Sequence, residues 1–263
     1  MKDCREEWFD AEKKVSVVVV DVTSAAQELA RGHLCGPTAA YYLAKGLAAV
    51  ALLGAETESA EETVGVQMKC SGPLGGLNVE CTADGKLRGY TERKILDDFD
   101  GMGVPSDKAV LGERRFQVTR SVPGRILSQG ISNSLDGYLA GSLQRKATIQ
   151  LEASVSDEVE ILEARGVLVE EMPDASGTGV LGVNFKSLAV SSRNLLGRIH
   201  LEKAELRKTS PLKFGCRCSP ERAKATLAAL SAEERRGLPE KVGITCHMCG
   251  RTYEVAAGEG GET

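Results

Sequence analysis

The chain lacks the bulk features that mark nucleic-acid-binding and membrane-spanning proteins. Lysine and arginine number 33 against 37 aspartates and glutamates, a formal net charge of -4, so no overall positive field attracts nucleic acid or an anionic membrane surface. The longest apolar candidate, residues 38–53, is interrupted by Lys45 and Gly46 and falls short of the roughly 20 apolar residues that cross a bilayer. We therefore expect a soluble protein with no nucleic-acid or membrane partner.

Targeting and catalytic signals are also missing. The N-terminal residues 1–7 mix charges and contain no apolar signal-peptide core, which predicts a cytoplasmic protein. The glycines near Gly72 are not followed by the Gly-Lys-Ser/Thr of a phosphate loop, and no Ser/His/Asp or Cys/His set stands out. We expect no catalytic residues, no organic cofactor and no enzymatic activity.

The apolar pattern predicts a mixed α and β fold. The β-branched run over residues 15–22 predicts a strand, Thr23 or Ser24 would cap a short helix that stops near Gly32, and Pro37 would begin a buried helix rich in alanine and leucine. Alternating apolar residues split by turn signals predict an antiparallel meander over residues 63–93. Two more strands, a helix and two further strands are predicted over residues 112–169.

The composition changes after Pro173. The stretch Asp174-Ala175-Ser176-Gly177-Thr178-Gly179 is typical of a linker. The sequence thus predicts a core domain over residues 1–173, a linker over 174–213 and a small C-terminal module over 214–263. We assign the fold to the α+β class, with an antiparallel sheet in the core domain and a metal-binding C-terminal module.

Eight cysteines in a protein expected to stay in a reducing compartment suggest metal or redox chemistry before structural disulfides. Four of them form two close pairs, Cys216 with Cys218 and Cys246 with Cys249, and 27 residues separate the pairs. Two close pairs around a small folded insert can supply four thiolates to one tetrahedral Zn²⁺. The insert carries its own helix signals, because Ser219 precedes Pro220 and Ser231 precedes Glu234 by three residues.

The predicted zinc site has two interpretations. One is a permanently closed ribbon that only holds the module together. The other is an oxidation switch: zinc keeps the sulfurs as thiolates, oxidants attack thiolates, and a neighbouring thiolate converts a sulfenic acid into a disulfide. Oxidation would then expel the metal and unfold the module. The other four cysteines, Cys4, Cys35, Cys70 and Cys81, lack ligand-like spacing and are interpreted as small buried hydrophobes. His247 lies inside the second pair and could replace a cysteine as ligand, but four thiolates already complete the zinc site.

Three groups of residues resemble the heat shock protein 33 family of redox-regulated holdase chaperones. Gly72-Pro73-Leu74-Gly75 followed by Leu87-Arg88-Gly89-Tyr90 is similar to the paired turn signatures of the family. Gly166-Val167-Leu168-Val169 before Met172-Pro173 resembles the end of its core domain. The third group surrounds the cysteines in the family's spacing: Phe214, Cys216, Cys218, Ser219, Glu221, Arg222, Cys246, Cys249, Gly250 and Tyr253.

The resemblance implies a function and a set of partners. It implies an inactive, reduced form that holds one zinc ion, and an oxidised form with the disulfides Cys216–Cys218 and Cys246–Cys249. In the oxidised form the linker would be destabilised, apolar surface would bind unfolding client proteins, and homodimers would form. The core domain would bind substrates and dimerise. The stretch between Pro173 and Phe214 looks shorter and less charged than the usual linker of the family.

Two other classes of function compete with the chaperone hypothesis. A constitutive zinc-ribbon adaptor or nucleic-acid-binding protein requires a basic face near the ribbon. Six basic residues offer some charge there, but interspersed Glu221, Glu233 and Glu234 dilute it; the six are Arg217, Arg222, Lys224, Arg235, Arg236 and Arg251. A thiol oxidoreductase with Cys246 and Cys249 as its dithiol leaves the Cys216 and Cys218 pair unexplained.

Overall fold

The computed structural model describes residues 3–175 and 178–256. Residues 1–2 of the predicted core domain, Ser176 and Gly177 of the predicted linker, and residues 257–263 of the predicted C-terminal module lie outside the described residues. The strands are β1 Cys4–Asp10, β2 Val15–Asp21, β3 Thr63–Cys70, β4 Gly76–Thr82, β5 Lys86–Thr91, β6 Arg114–Val122, β7 Arg125–Ser132, β8 Lys146–Val155, β9 Ile161–Glu171, β10 Glu205–Pro211, β11 Lys213–Phe214, β12 Lys241–Thr245 and β13 Thr252–Ala256. The helices are α1 Thr23–His33, α2 Pro37–Leu53, α3 Asp107–Val110, α4 Leu135–Ser142, α5 Ser192–Arg198, α6 Pro220–Ala228 and α7 Ala232–Arg236, with short 3-10 turns at Gly54–Glu56 and Val180–Gly182.

Two large sheets enclose helix α2. We name them sheet A, with the strand order β10-β1-β2-β9-β8, and sheet B, with the order β11-β5-β4-β3-β6-β7; β12 and β13 form a separate hairpin. All pairs are antiparallel except β11 with β5. The mixture of helices and antiparallel sheets confirms the predicted fold class.

Helix α2 is the centre of the core. It contacts β9 and β8 of sheet A and β4 of sheet B, and its many alanines let both sheets approach its backbone closely. Pro37 stands at its first turn, as predicted. The helical stretch Pro37–Glu56 is long and apolar enough to cross a membrane, yet 83 % of its apolar window is buried inside the protein. Helix α2 is therefore a core helix, and its apolar composition reflects burial between the two sheets.

The N-terminus of α1 is capped from a distance. The predicted cap by the side chain of Thr23 or Ser24 is wrong, because the Asp3 carboxylate accepts hydrogen bonds from the backbone N–H groups of Ser24 (2.9 Å) and Ala25 (2.7 Å). The Thr23 hydroxyl instead accepts a hydrogen bond from the N–H of Ala164 in β9, at 3.0 Å. A cap that lies 21 residues upstream leaves no local sequence signal.

The segment predicted as a linker is folded onto sheet A. Phe185, Leu188, Leu195 and Leu196 form a second apolar core with Trp8 and several valines of β2 and β9. The last part of the segment, β10, pairs with β1. Residues 180–204 therefore cover the face of sheet A that is opposite to helix α2. The predicted division of the chain into three parts stays a prediction.

Polar side chains of sheet A hold this covering segment by its backbone. The Gln150 amide donates to the carbonyl of Val183 and accepts from the N–H of Phe185. The Arg165 guanidinium donates to the carbonyls of Leu188 (3.1 Å) and Val190 (3.2 Å). These bonds pair backbone groups of the segment with side chains of sheet A, so they keep the segment on the sheet.

Candidate metal centre

Four sulfur atoms meet at one point. The Sγ atoms of Cys216, Cys218, Cys246 and Cys249 all lie within 4.8 Å of one another. Cys216 is 3.7 Å from Cys246, and Cys218 is 3.5 Å from Cys249. Four thiolates held about 2.3 Å from a tetrahedral Zn²⁺ stand about 3.8 Å apart. The cluster therefore has both the donor chemistry and the dimensions to hold a metal ion.

The second pair of cysteines lies in a tight turn between β12 and β13. We call residues 246–250 the knuckle. The N–H groups of Cys249 (3.3 Å) and Gly250 (2.9 Å) donate to the carbonyl of Cys246, and the Cys246 N–H donates to the carbonyl of Arg251 at 2.8 Å. Gly250 has a φ of +73°, a left-handed conformation that glycine adopts without strain. The turn directs both sulfurs to the same side.

The first pair of cysteines follows directly after β11. The N–H of Gly215 donates to the carbonyl of Leu87 in β5, at 3.0 Å, so the chain enters the site from the edge of sheet B. Ser219 then caps α6 through the N–H of Arg222, and Ser231 and Glu234 form a reciprocal capping box at α7. Both helix starts agree with the prediction from the sequence.

Hydrogen bonds and burial act in opposite directions on the thiols. Partial burial favours the neutral form of Cys216, but hydrogen bonds from the Cys218 backbone and from neighbouring thiols outweigh it and lower the pKa of Cys216 to about 7. Burial raises the pKa of Cys246 and of Cys249. The Tyr253 hydroxyl donates a hydrogen bond to Cys218 Sγ at 3.1 Å.

The knuckle is docked on sheet B and helix α1. The carbonyl of Met248, between the two ligand cysteines, accepts a hydrogen bond from the N–H of Gly89 in β5 at 3.0 Å. The ring of His247 stands edge-on against Tyr90, with the centroids 4.1 Å apart. His247 thus packs against sheet B, and the compact sulfur cluster does not include it.

Two glycines make this docking close. A Cβ atom on Gly250 would lie 2.0 Å from the carbonyl oxygen of Gly32 in α1, and a Cβ on Gly32 would lie 2.7 Å from the carbonyl oxygen of Cys249. His33, an isolated histidine in the sequence, is buried, with its Nε2 atom 2.8 Å from the carbonyl oxygen of Gly89. Sequence analysis gave no functional role to these docking residues, because more than 200 positions separate the glycines.

Comparisons with known proteins agree with this geometry. The family model described as "Hsp33 protein" matches residues 7–256. The chain belongs to the Hsp33 family. This membership confirms the resemblance drawn from the sequence and supports a chaperone function rather than an enzymatic one.

Relatives of this Hsp33-family chain match along most of their length. A "33 kDa chaperonin" of Thermus thermophilus is 29 % identical over 92 % of this chain and 81 % of its own length. Another from Geobacillus kaustophilus is 27 % identical over 94 % of this chain and 92 % of its own. The crystal structure of the "33 kDa chaperonin (Heat shock protein 33 homolog)" of Thermotoga maritima superimposes with a TM-score of 0.87 over 99 % of this chain and 97 % of its own, at 18 % identity. It shows the same fold.

The remaining cysteines of this Hsp33 protein differ from the four in the cluster. Cys35 and Cys81 are buried, as predicted, whereas Cys4 and Cys70 are half-buried. Burial raises the pKa of both Cys35 and Cys81 to about 11. At pH 8 about one such thiol in a thousand is ionised, against about one in ten for a thiol of ordinary pKa near 9.

We therefore expect a clear order of alkylation. With a chelator present, iodoacetamide at pH 8 should modify Cys216, whose pKa is lowered to about 7, at least about a hundredfold faster than Cys35 and Cys81, because only thiolates react. Mass spectrometry of quenched samples measures the rates. The chain unfolded in urea, where all eight cysteines should react alike, is the control. Equal rates in the folded chain would contradict the assignment of Cys35 and Cys81 as inert core residues.

Proposed function

We propose that this Hsp33-family chain is a redox-regulated holdase chaperone of the cytoplasm. It would bind unfolding proteins under oxidative stress and prevent their aggregation, with one Zn²⁺ held by Cys216, Cys218, Cys246 and Cys249 in the reduced form. The observation that carries the proposal is the cluster of four sulfurs in a module that is docked on the core domain through Gly89 and Met248.

The chemical step is the oxidation of the four thiolates to two disulfides. Each disulfide that forms from two thiolates releases two electrons, which together with two protons from the solvent reduce one hydrogen peroxide to two waters. A disulfide sulfur is a poor metal ligand, so the oxidised module would no longer hold the zinc ion that stabilises its fold.

The proposed pairing of Cys216 with Cys218 and of Cys246 with Cys249 is supported by the family resemblance. In the thiol form two close contacts run between the pairs, from Cys216 to Cys246 at 3.7 Å and from Cys218 to Cys249 at 3.5 Å. Formation of disulfides within the pairs therefore requires the site to rearrange, which agrees with an unfolding module.

The covering segment connects the metal site to an apolar surface. Strand β10 runs directly into Leu212, β11 and the first ligand pair, so the segment is anchored at its end by the module. Beneath it lie Trp8, Val17 and Val167, all buried. If the module unfolds, loss of this anchor would favour release of the segment and expose a continuous apolar sheet face, the kind of surface that binds nonnative chains.

The rival adaptor or nucleic-acid-binding function has less support. Arg217 lies 3.6 Å from Glu80, and Arg222 donates to the carbonyl of Arg217. Both side chains are thus engaged with the protein itself, and interspersed Glu221, Glu233 and Glu234 dilute the charge of the other basic residues, so the basic stripe that nucleic-acid binding requires has little support.

Light scattering from a thermally unfolding client protein tests the proposal. The client is heated with the full chain, which is either reduced and loaded with zinc or treated with peroxide at raised temperature. We expect the oxidised chain alone to suppress aggregation. Equal failure of both samples would refute the chaperone, and equal suppression would refute the switch.

Release of the covering segment has its own reporter, since Trp8 is the only tryptophan. Trp8 is 5 % exposed and lies under Arg193 of α5, 4.5 Å from ring centroid to guanidinium carbon. Arg165→Met removes two charged hydrogen bonds to the segment and should weaken its attachment by about 2–3 kcal/mol. Trp8 emission of this variant should shift to the red at a lower urea concentration. Arg125→Met, on exposed β7, is the control, and identical urea profiles would contradict the expectation.

Dimerisation of the oxidised chain is also part of the proposal, supported by the family resemblance and by the edge of sheet B. Edge strand β7 exposes Ile126, Leu127 and Ile131, and unprotected apolar edges pair with other chains. We expect Ile131→Lys to weaken the oxidised dimer about tenfold or more in sedimentation velocity, whereas Leu162→Lys, an exposed leucine on β9, should not. Unchanged dimer affinity would exclude β7 as the interface.

A further inference from the structure

A short segment of the chain fills a groove at the edge of sheet B. The groove, which we call the β5 groove, lies between β5 and α1, and β11 occupies it. The backbone of β11 pairs in parallel with β5: the N–H of Lys213 donates to the carbonyl of Gly85, and the N–H of Gly215 to that of Leu87, both at 3.0 Å. The occupant is therefore bound as an added strand.

The side chains of the occupant alternate between the core and solvent. Leu212 is 3 % exposed and belongs to the main apolar core, and Phe214 packs against the same core while half-buried. Lys213 between them is exposed. The β5 groove thus accepts two apolar side chains two positions apart and leaves the middle side chain free, which is how an extended strand is recognised by a sheet edge.

The rest of the β5 edge is closed by the knuckle. Gly89 donates its N–H to the carbonyl of Met248. The occupant ends two residues before Cys216, and Met248 lies between Cys246 and Cys249. Both covers of the edge are therefore part of, or directly attached to, the module that the metal site stabilises. Unfolding of the module would leave the backbone groups of β5 and the sites of Leu212 and Phe214 available together.

We propose that the β5 groove is a client-binding site in the oxidised form. An extended segment of an unfolding polypeptide, with apolar side chains at alternate positions, adds as a strand beside β5 and replaces Leu212 and Phe214. In the reduced form the chain blocks the site with its own segment. The inference rests on the proposed function, and it adds a second surface to the sheet A face beneath residues 180–204.

A photo-crosslinking peptide tests the inference on the full chain. The probe is a fluorescein-labelled peptide with the sequence of residues 209–215, Thr-Ser-Pro-Leu-Lys-Phe-Gly, in which benzoylphenylalanine replaces phenylalanine. The control peptide has serine in place of leucine. We expect crosslinks to α1 and β5 in the peroxide-treated chain and at least tenfold fewer in the reduced chain. The control peptide should bind about tenfold more weakly, because one of two anchors is lost.

A substitution in the occupant provides a second measurement. Phe214→Ala weakens the chain's own strand without touching a ligand cysteine, so the reduced variant should already crosslink the probe at α1 and β5. Phe185→Ala, which loosens the cover of sheet A instead, is the matched control and should leave the reduced β5 groove closed. Absence of crosslinks in reduced Phe214→Ala together with their absence in the oxidised native chain would overturn the inference.

The outcomes separate the inference from the proposed function. If the oxidised chain suppresses client aggregation but the probe crosslinks only to sheet A, the β5 groove is not a client site and the chaperone proposal stands. If the oxidised chain fails to suppress aggregation while the probe still crosslinks to α1 and β5, the groove binds strands and the chaperone proposal fails.

Discussion

Cys249→Ser is expected to lower the affinity of the reduced chain for zinc by two to three orders of magnitude. Structural zinc sites of this kind contribute about 10–16 kcal/mol, so each of four thiolates accounts for roughly 2.5–4 kcal/mol, and a serine hydroxyl does not replace one. Cys249 is also the buried member of the cluster, which leaves water little access to take the vacant position. Competition with a chromophoric chelator measures the affinity.

The consequence of Cys249→Ser should extend beyond the metal. The hairpin of β12 and β13 packs against α6 around a small apolar cluster of Ala223, Leu227 and Val255, which is too small to fold alone. Amide exchange across the hairpin should therefore become fast. Cys70→Ser, at a half-buried cysteine outside the cluster, is the control and should keep full zinc binding. Retention of tight zinc binding by Cys249→Ser would rule out the four-thiolate site.

Gly32→Ala is expected to detach the knuckle from helix α1 and strand β5, while α1 itself gains intrinsic stability. Alanine in a helix is favoured over glycine by about 0.5–1 kcal/mol, but its Cβ would lie 2.7 Å from the carbonyl oxygen of Cys249. Such overpacking against backbone costs about 1–3 kcal/mol. Because this cost exceeds the gain in helix stability, the docked position of the knuckle should become less stable than the undocked one. We expect the Gly89 N–H to exchange about ten times faster, since its partner is Met248 in the knuckle.

The matched control for Gly32→Ala is Gly197→Ala in α5, where a Cβ atom meets nothing within 4 Å. Gly197→Ala should raise the helix stability without changing exchange at Gly89. Reduced Gly32→Ala should also show partial chaperone activity in the light-scattering assay, because undocking mimics one consequence of oxidation. Unchanged exchange at Gly89 would show that the close approach of the two glycines does not hold the knuckle in place.

Local patterns predicted the elements of the fold that depend on nearby residues. Pro37 begins α2, Ser231 and Glu234 cap α7, and the meander of β3, β4 and β5 follows its turn signals. Strands β1 and β10 were not predicted. Their runs of charged residues resemble solvated loops, and the pairing of β10 with β1 joins segments about 200 positions apart, which no local pattern indicates.

The candidate site also has one part that local sequence patterns predicted and one part that they did not. The spacing of the cysteine pairs predicted which four sulfurs meet, because ligand spacing is a local property of the chain. The docking of the site on Gly32, His33 and Gly89 depends on tertiary packing between distant segments. Arg5 is a similar case: a charged residue near the N-terminus, it is 1 % exposed and donates to the carbonyl of Ala51 at the end of α2.

The pairing of β10 with β1 and of β11 with β5 has a consequence for the synthesis of the chain. During translation, β1 and β5 emerge long before residues 205–214, which complete one edge of each large sheet. Until then both strands present open backbone edges, and contacts of such long sequence separation form slowly. The nascent chain should therefore be most prone to aggregation just before its last fifth leaves the ribosome. At that stage its two open sheet edges would need to be shielded by another chaperone.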